Sequence, residues 1–271
     1  MKILFIGDIV GEPGRKILRR AVPVLRARYE LDLVIANAEN AASGSGLTPK
    51  CYEELRKCGI DAYTMGDHVY KRREIHELFG RKEPLCRPAN YPLEAPGPDH
   101  LIVTARNGLK VAIFYVVGRL FMKPADCPFR AADRILQKIA GQANIIIVDV
   151  HAEATSEKQL LLHHLVGRVS AVLGTHTHVP TADASIFPPG TAFISDVGMT
   201  GPYDGVIGRK KEDVLKTTLS FEPVPWQVAV GDPRVSAVLM EIDETTGKAE
   251  SIELLHLNNL AIENLSEAPA T

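Results

Sequence analysis

Five short polar clusters hold most of the side chains in this chain that could do chemistry. They are Gly7-Asp8, Asn37-Ala38-Glu39-Asn40, Gly66-Asp67-His68, a lone His151, and Gly174-Thr175-His176-Thr177-His178. Most of them follow an apolar run that reads as a buried strand. Such strands do not ordinarily end in carboxylates and imidazoles unless something positive is bound there. Asp8, Glu39, Asp67, His151, His176 and His178 supply hard oxygen donors and imidazoles, with Asn40 as a carbonyl donor. That mix suits two cations roughly 3.5–4 Å apart with a carboxylate between them, the arrangement of two-metal hydrolases. Histidine with carboxylate ligands fits iron, manganese or zinc, and the lack of a thiolate argues against a closed structural zinc site.

Each cluster alone has a plainer reading. Asp8 could cap a helix, Glu39-Asn40 could cap the next element, Asp67-His68 could be a turn, and His151 could be a satisfied core histidine. His176-x-His178 is more specific, because alternate residues of an extended segment point the same way. The metal reading rests on all five clusters falling at successive strand ends, where an open α/β sheet places its ligand crevice. His76, His100, His163, His164 and His256 have no such setting and read as ordinary surface or interface histidines. A competing motif, Gly7-x-x-x-Gly11-x-x-Gly14, follows a strand as a dinucleotide fingerprint would, but its spacing is wrong and Pro13 interrupts it.

The elements that must position these residues begin as an alternation of strand and helix. Lys2–Ile6 reads as a central parallel strand, 14–29 as a helix, and 31–36 as a second strand. A helix over 48–58 has Thr48 as N-cap and Pro49 at its first position. A strand at 62–65 and a helix at 73–79 complete the first part, and Lys71-Arg72-Arg73 reads as its solvated start. Asn107-Gly108 then joins apolar runs 100–105 and 110–117 in a hairpin. Helices are expected at 128–140, 156–165 and 211–219, and strands at 144–150 and 171–173. Two further hairpins are expected, 184–187 with 192–195 and 234–242 with 248–255. Thr200-Gly201-Pro202-Tyr203 reads as a turn that lines a nucleotide pocket. Residues 263–271 are expected to fray. The pattern predicts two mixed sheets packed face to face with helices outside, as one domain over residues 1–271.

Bulk properties exclude some classes. Apolar residues make up 45% of the 271, and formal net charge is −2 with both signs mixed. There is no basic stripe, so no long nucleic acid is expected as a partner. No apolar run reaches membrane-span length, and Met1–Gly7 is too short for a signal peptide. Cys51, Cys58, Cys86 and Cys127 lack Cys-x-x-Cys spacing and read as reduced structural thiols in a cytoplasmic protein.

The order Gly-Asp, Asn-x-Glu-Asn, Gly-Asp-His, lone His and Gly-x-His-x-His resembles the calcineurin-like metallophosphoesterases. Longer strings narrow the resemblance to the YmdB-like branch of 2′,3′-cyclic nucleotide phosphodiesterases. They are residues 5–15, 37–42, Arg87-Pro88-Ala89-Asn90, His151–Lys158, 174–179 and 196–205. The resemblance spans nearly the whole chain. It implies a four-layer α/β/β/α sandwich, a di-metal site reported as iron, and a homo-oligomer, dimer or tetramer. It assigns Asp8, Glu39, Asn40 and His178 to the first metal, and Glu39, Asp67, His151 and His176 to the second, with His68 as proton donor. Asp67 stands where the wider superfamily has Asn, adding a full negative charge beside the second metal.

The expected reaction is in-line hydrolysis of a small cyclic nucleotide. A water between two cations would attack as hydroxide, while His68 protonates the leaving alkoxide. The core ligands alone leave open a phosphomonoesterase or protein phosphatase. A regulatory scaffold, or a metal-free flavin- or nucleotide-binding module, are the readings from other classes.

Overall fold

A computed structural model of the chain describes residues 1–267. Strands β1 (Lys2–Ile6) and β2 (Asp8–Ile9) lead into helix α1 (Gly11–Tyr29), followed by β3 (Leu33–Asn37), α2 (Pro49–Cys58), β4 (Ala62–Thr64) and α3 (Ile75–Gly80). The middle of the chain holds β5 (Leu101–Thr104), β6 (Lys110–Val117), α4 (Pro128–Ile139), β7 (Ile145–His151), α5 (Thr155–Leu165) and β8 (Ala171–Thr175). Then come β9 (Ser185–Phe187), β10 (Thr191–Ile194), β11 (Met199–Pro202), α6 (Lys211–Ser220), β12 (Pro233–Ile242), β13 (Ala249–Asn258) and α7 (Asn259–Glu267).

The strands form a seven-stranded sheet, ordered β2-β11-β12-β1-β3-β4 with β13 on β12, and a six-stranded sheet ordered β5-β6-β7-β8-β10-β9. Both are mixed: β1 runs parallel to β3 and antiparallel to β12, while antiparallel β5 and β9 flank the parallel strands of the second sheet. The period-2 alternation of β6 shows how the layers are made. Val111, Ile113, Tyr115 and Val117 join the core between the sheets, while Ala112, Phe114 and Val116 face α4 and α5. Helices α1, α2 and α7 cover the other sheet, giving the four-layer α/β/β/α sandwich. Residues Ile3–Ile6 of β1 are fully buried; such side chains contribute about 1.5–3 kcal/mol each.

Local signals hold where they have a mechanism. Thr48 Oγ1 accepts from Cys51 N at 3.3 Å, with Pro49 opening α2. Asn107 Oδ1 accepts from Leu109 N at 3.1 Å, in the turn where Gly108 takes positive φ. Four expectations need correction. Residues 200–203 are not a turn: Met199–Pro202 is strand β11, buried and paired with β2 and β12, and Thr200 Oγ1 donates to Ser236 O rather than facing a pocket. Gly and Pro disguised this short strand. Arg72 is not a solvated helix start, because its guanidinium donates to the carbonyls of Ser45 and Ala42, and α3 begins only at Ile75. Residues 263–267 are not frayed but end α7, where Glu263 meets Arg20 at 2.7 Å; residues 268–271 of that expected tail lie outside the described residues. Helix α1 starts at Gly11, not Gly14, and Gly14 packs against the Thr200 carbonyl.

Candidate metal centre

The clusters of the sequence converge at the ends of strands from both sheets. Asp8 opens β2, Glu39 and Asn40 follow β3, and Asp67 and His68 occupy a single 3₁₀ turn after β4. From the facing sheet, His151 ends β7, and His176 and His178 follow β8. Ligand atoms of Glu39, Asp67, His151 and His176 lie within 4.8 Å of one another, and so do those of Asp8, Glu39 and His178. Glu39 belongs to both groups. None of His76, His100, His163, His164 or His256 joins either group among the described residues; His100 and His164 instead pair with Asp99 and Asp133.

Glycines let the backbone come this close. A Cβ on Gly66, which has positive φ, would run into Glu39 Oε2 and the His151 ring. One on Gly7 would run into the Gly198 carbonyl. Asp8 Oδ2 accepts the His176 amide at 3.1 Å, while its Oδ1 is buried with no hydrogen-bond partner. Asp67 Oδ1 is likewise unpartnered, lying 3.5 Å from His151 Nε2 without forming a hydrogen bond. A carboxylate oxygen left dry and unpaired is costly unless a cation completes it. These orphaned oxygens, beside imidazoles and a shared glutamate, fit a pair of metal ions.

The charges agree with that fit. Burial alone would raise the Glu39 pKa, but the nearby His151 and His68 outweigh it and hold it at about 2. Asp67 is held below the usual carboxylate range against burial, first by His151. Burial opposes the charged form of His151, yet Glu39, Asp67 and Asp8 raise it well above the ordinary imidazole value. Asp8 itself is raised, because its desolvation exceeds the help from His151. Burial and His151 push His176 down to about 4, and burial lowers His178, so both favour the neutral form that a metal needs. A field that draws a proton to a buried imidazole also draws a cation.

Each histidine has its second ring nitrogen fixed by a different partner. His151 Nδ1 lies 2.8 Å from Thr175 Oγ1, which donates to buried Asp149 at 2.7 Å. Asn37 Nδ2 also reaches Asp149, at 3.3 Å, and Thr64 donates to it at 2.5 Å. His176 Nε2 meets Glu153 at 3.2 Å, and His178 Nδ1 donates to Ile207 O at 2.9 Å. Such partners set the tautomer and the direction of the ligating nitrogen. Asn40 is oriented differently from a carbonyl ligand. Its Nδ2 donates to Glu39 Oε1 at 2.8 Å and lies 3.1 Å from His178 Nε2, while its Oδ1 faces His68 Nδ1 at 2.8 Å. A half-turn of the amide would present the oxygen to the first group instead.

Sequence reasoning missed Asp149 and Glu153. Asp149 did carry a signal: it interrupts an apolar strand two residues before His151, and so must share the face of that ring. Glu153 carried none beyond its place in the His151–Lys158 string.

The chain is 46% identical over 259 residues to the 2′,3′-cyclic-nucleotide 2′-phosphodiesterase of Bacillus subtilis, covering 96% of this chain and 98% of that protein. A solved structure of a hypothetical protein from Thermus thermophilus superposes with TM-score 0.89 at 43% identity, over 95% of this chain and 99% of that one. A structure of a novel phosphatase from Mycoplasma pneumoniae superposes with TM-score 0.89 at 32% identity, over 98% of each. Residues 4–255 match the pattern of the family described as "YmdB-like protein". The chain therefore belongs to the YmdB-like family.

Proposed function

We propose that this chain is a metal-dependent phosphodiesterase that hydrolyses small cyclic nucleotides, 2′,3′-cyclic nucleotides first among them. The observation that carries it is the pair of ligand groups sharing Glu39. The Bacillus subtilis relative named as a 2′,3′-cyclic-nucleotide 2′-phosphodiesterase supports the same reaction class. Asp8, Glu39, His178 and, with its amide turned, Asn40 would hold one ion; Glu39, Asp67, His151 and His176 would hold the other. Iron is the first choice of metal, with manganese and zinc compatible with the donors. Bound there, the ions supply Lewis acidity and lower the pKa of a water.

The protein's own residues do the rest. Glu153, Asp149 through Thr175, and the Ile207 carbonyl keep the imidazole nitrogens aimed inward. His68, 26% exposed by its side chain, has Nδ1 bonded to Asn40 and Nε2 3.9 Å from Asp67 Oδ1. We assign it the role of giving a proton to the leaving alkoxide. In a 2′,3′-cyclic ester that oxygen stays tethered to the ribose, so the proton has one defined destination.

The whole chain is taken as the catalytic domain. Its cysteines are free, which fits the reducing cytoplasm. Among the described residues no helix is long and apolar enough to cross a membrane. Helix α6 buries none of its residues and carries exposed Leu215 and Leu219, a face suited to a homo-oligomer.

The test is hydrolysis of 2′,3′-cyclic AMP by protein reconstituted with Mn²⁺, compared with chelator-treated protein. Metal-dependent release of a single nucleoside monophosphate is expected. Turnover that survives metal removal would overturn the reading.

A further inference from the structure

Two strings singled out in the sequence, His151–Lys158 and residues 196–205, each contain a buried charge outside the ligand set. Lys158 lies in the first turn of α5 and is 1% exposed; Asp196 follows β10 and is also 1% exposed. The Lys158 ammonium donates to Asp196 Oδ2 at 2.7 Å. The same oxygen accepts the Thr177 amide at 3.1 Å and the Thr177 hydroxyl at 2.7 Å, and Asp196 Oδ1 accepts from Gly198 N at 2.8 Å.

Thr177 is the residue between His176 and His178. Those two histidines have φ of +97° and +68°, the left-handed region that non-glycine residues avoid. Backbone held there persists only when its surroundings over-determine it. The His176 amide is held by Asp8 Oδ2 and the His178 carbonyl by Met199 N, and between them Thr177 is held through both its amide and its hydroxyl by one carboxylate. A buried ion pair is seldom retained for stability, since an apolar pair of the same volume usually serves as well.

We infer that Lys158, Asp196 and Thr177 form a clamp that holds His176 and His178 in their strained conformation, so that one turn sends an imidazole to each metal. All three are positioning residues. Lys158 compensates the buried carboxylate, Asp196 gathers both Thr177 donors, and Thr177 sets the direction of its two neighbours. The neighbouring Glu157 performs a parallel task, accepting the Arg119 and Leu120 amides of the loop that follows β6. The first turn of α5 thus braces loops on both sides of His151. The inference rests on the metal-centre reading above.

The experiment is isothermal titration of metal-free protein with Mn²⁺, paired with the melting temperature of the same metal-free samples. Thr177→Val keeps the shape and the amide but removes the hydroxyl. It is expected to weaken Mn²⁺ binding about 10–100-fold, the usual effect of losing an outer partner of a ligand. Thr177→Ser restores the hydroxyl and is expected to bind like wild type. Lys158→Met is expected to weaken binding at least as much as Thr177→Val if it folds, and the threonine pair decides the question if it does not. Wild-type affinity in Thr177→Val would overturn the clamp, and so would an equal loss in Thr177→Ser. A lower melting temperature with unchanged affinity would make the contact a structural prop and also overturn it. Wild-type protein that takes up no Mn²⁺ would overturn the metal centre and the clamp together, a result distinct from failure of the clamp alone.

Discussion

His68 stands beside the two ligand groups rather than inside them, and this separates its contribution from metal binding. His68→Gln should lower kcat on 2′,3′-cyclic AMP by about 10²–10⁴-fold, the range for loss of a general acid. Its Mn²⁺ content, measured by elemental analysis, should stay at the wild-type level. Bis(p-nitrophenyl) phosphate, whose leaving group needs no proton, should suffer far less; equal losses on both substrates would remove the proton-donor role. Asp67 offers the complementary case. Its Oδ1 is buried and unpartnered, and its charge lies beside His151. Asn at this position keeps an oxygen donor but gives up a negative charge. Asp67→Asn should therefore keep turnover within about tenfold of wild type at saturating Mn²⁺ while binding the ion more weakly. Loss of all bound metal and all turnover would show that the charge, not the oxygen, defines the site.

The strand ends set the spacing of these groups, and one close joint is that between Gly7 and Gly198. A methyl on Gly7 would collide with the Gly198 carbonyl, so β2 would be pushed away and Asp8 would move with it. Gly7→Ala should cost about 1–3 kcal/mol of stability in urea unfolding, the usual range for overpacking. It should also weaken Mn²⁺ binding; unchanged affinity would mean that Asp8 does not depend on this contact. The ends of β1, β3, β7 and β8 were legible in sequence because long apolar runs stop there in polar residues. The short β2 and β11 were not, because a two-residue strand has no period to read and Gly201 and Pro202 disguise the four-residue β11. Asp149, Glu153, Lys158 and Asp196 escaped for another reason. Most of their side-chain partners lie far away in sequence, as with Asp196 and Thr177 at a separation of 19, Thr64 and Asp149 at 85, and Asn37 and Asp149 at 112. Local pattern shows that a group is buried, but only tertiary packing says what it faces.

At the scale of the molecule, ion pairs away from the centre set how the sandwich responds to acid. Asp99 accepts from His100 at 2.7 Å and from Lys138 at 3.0 Å, and these bonds hold its carboxyl below its ordinary 3.8 despite partial burial. A carboxylate whose folded pKa is depressed stabilises the fold above its unfolded value, and that contribution fades as pH falls toward the folded value. Asp99→Asn should therefore be less stable than wild type at pH 5, with the gap in urea midpoint narrowing by pH 3. A gap that stays constant would place the effect of Asp99 elsewhere. A last consequence follows from the pairing of β1. Its residues Lys2–Ile6 find their antiparallel partner only in Ala237–Glu241. While the chain is being synthesised, this apolar strand waits with one edge bare until β12 has left the ribosome. Pairing over such a distance folds slowly, and a bare apolar edge invites other chains. Messages cut short before β12 should accordingly yield aggregates rather than a smaller working enzyme.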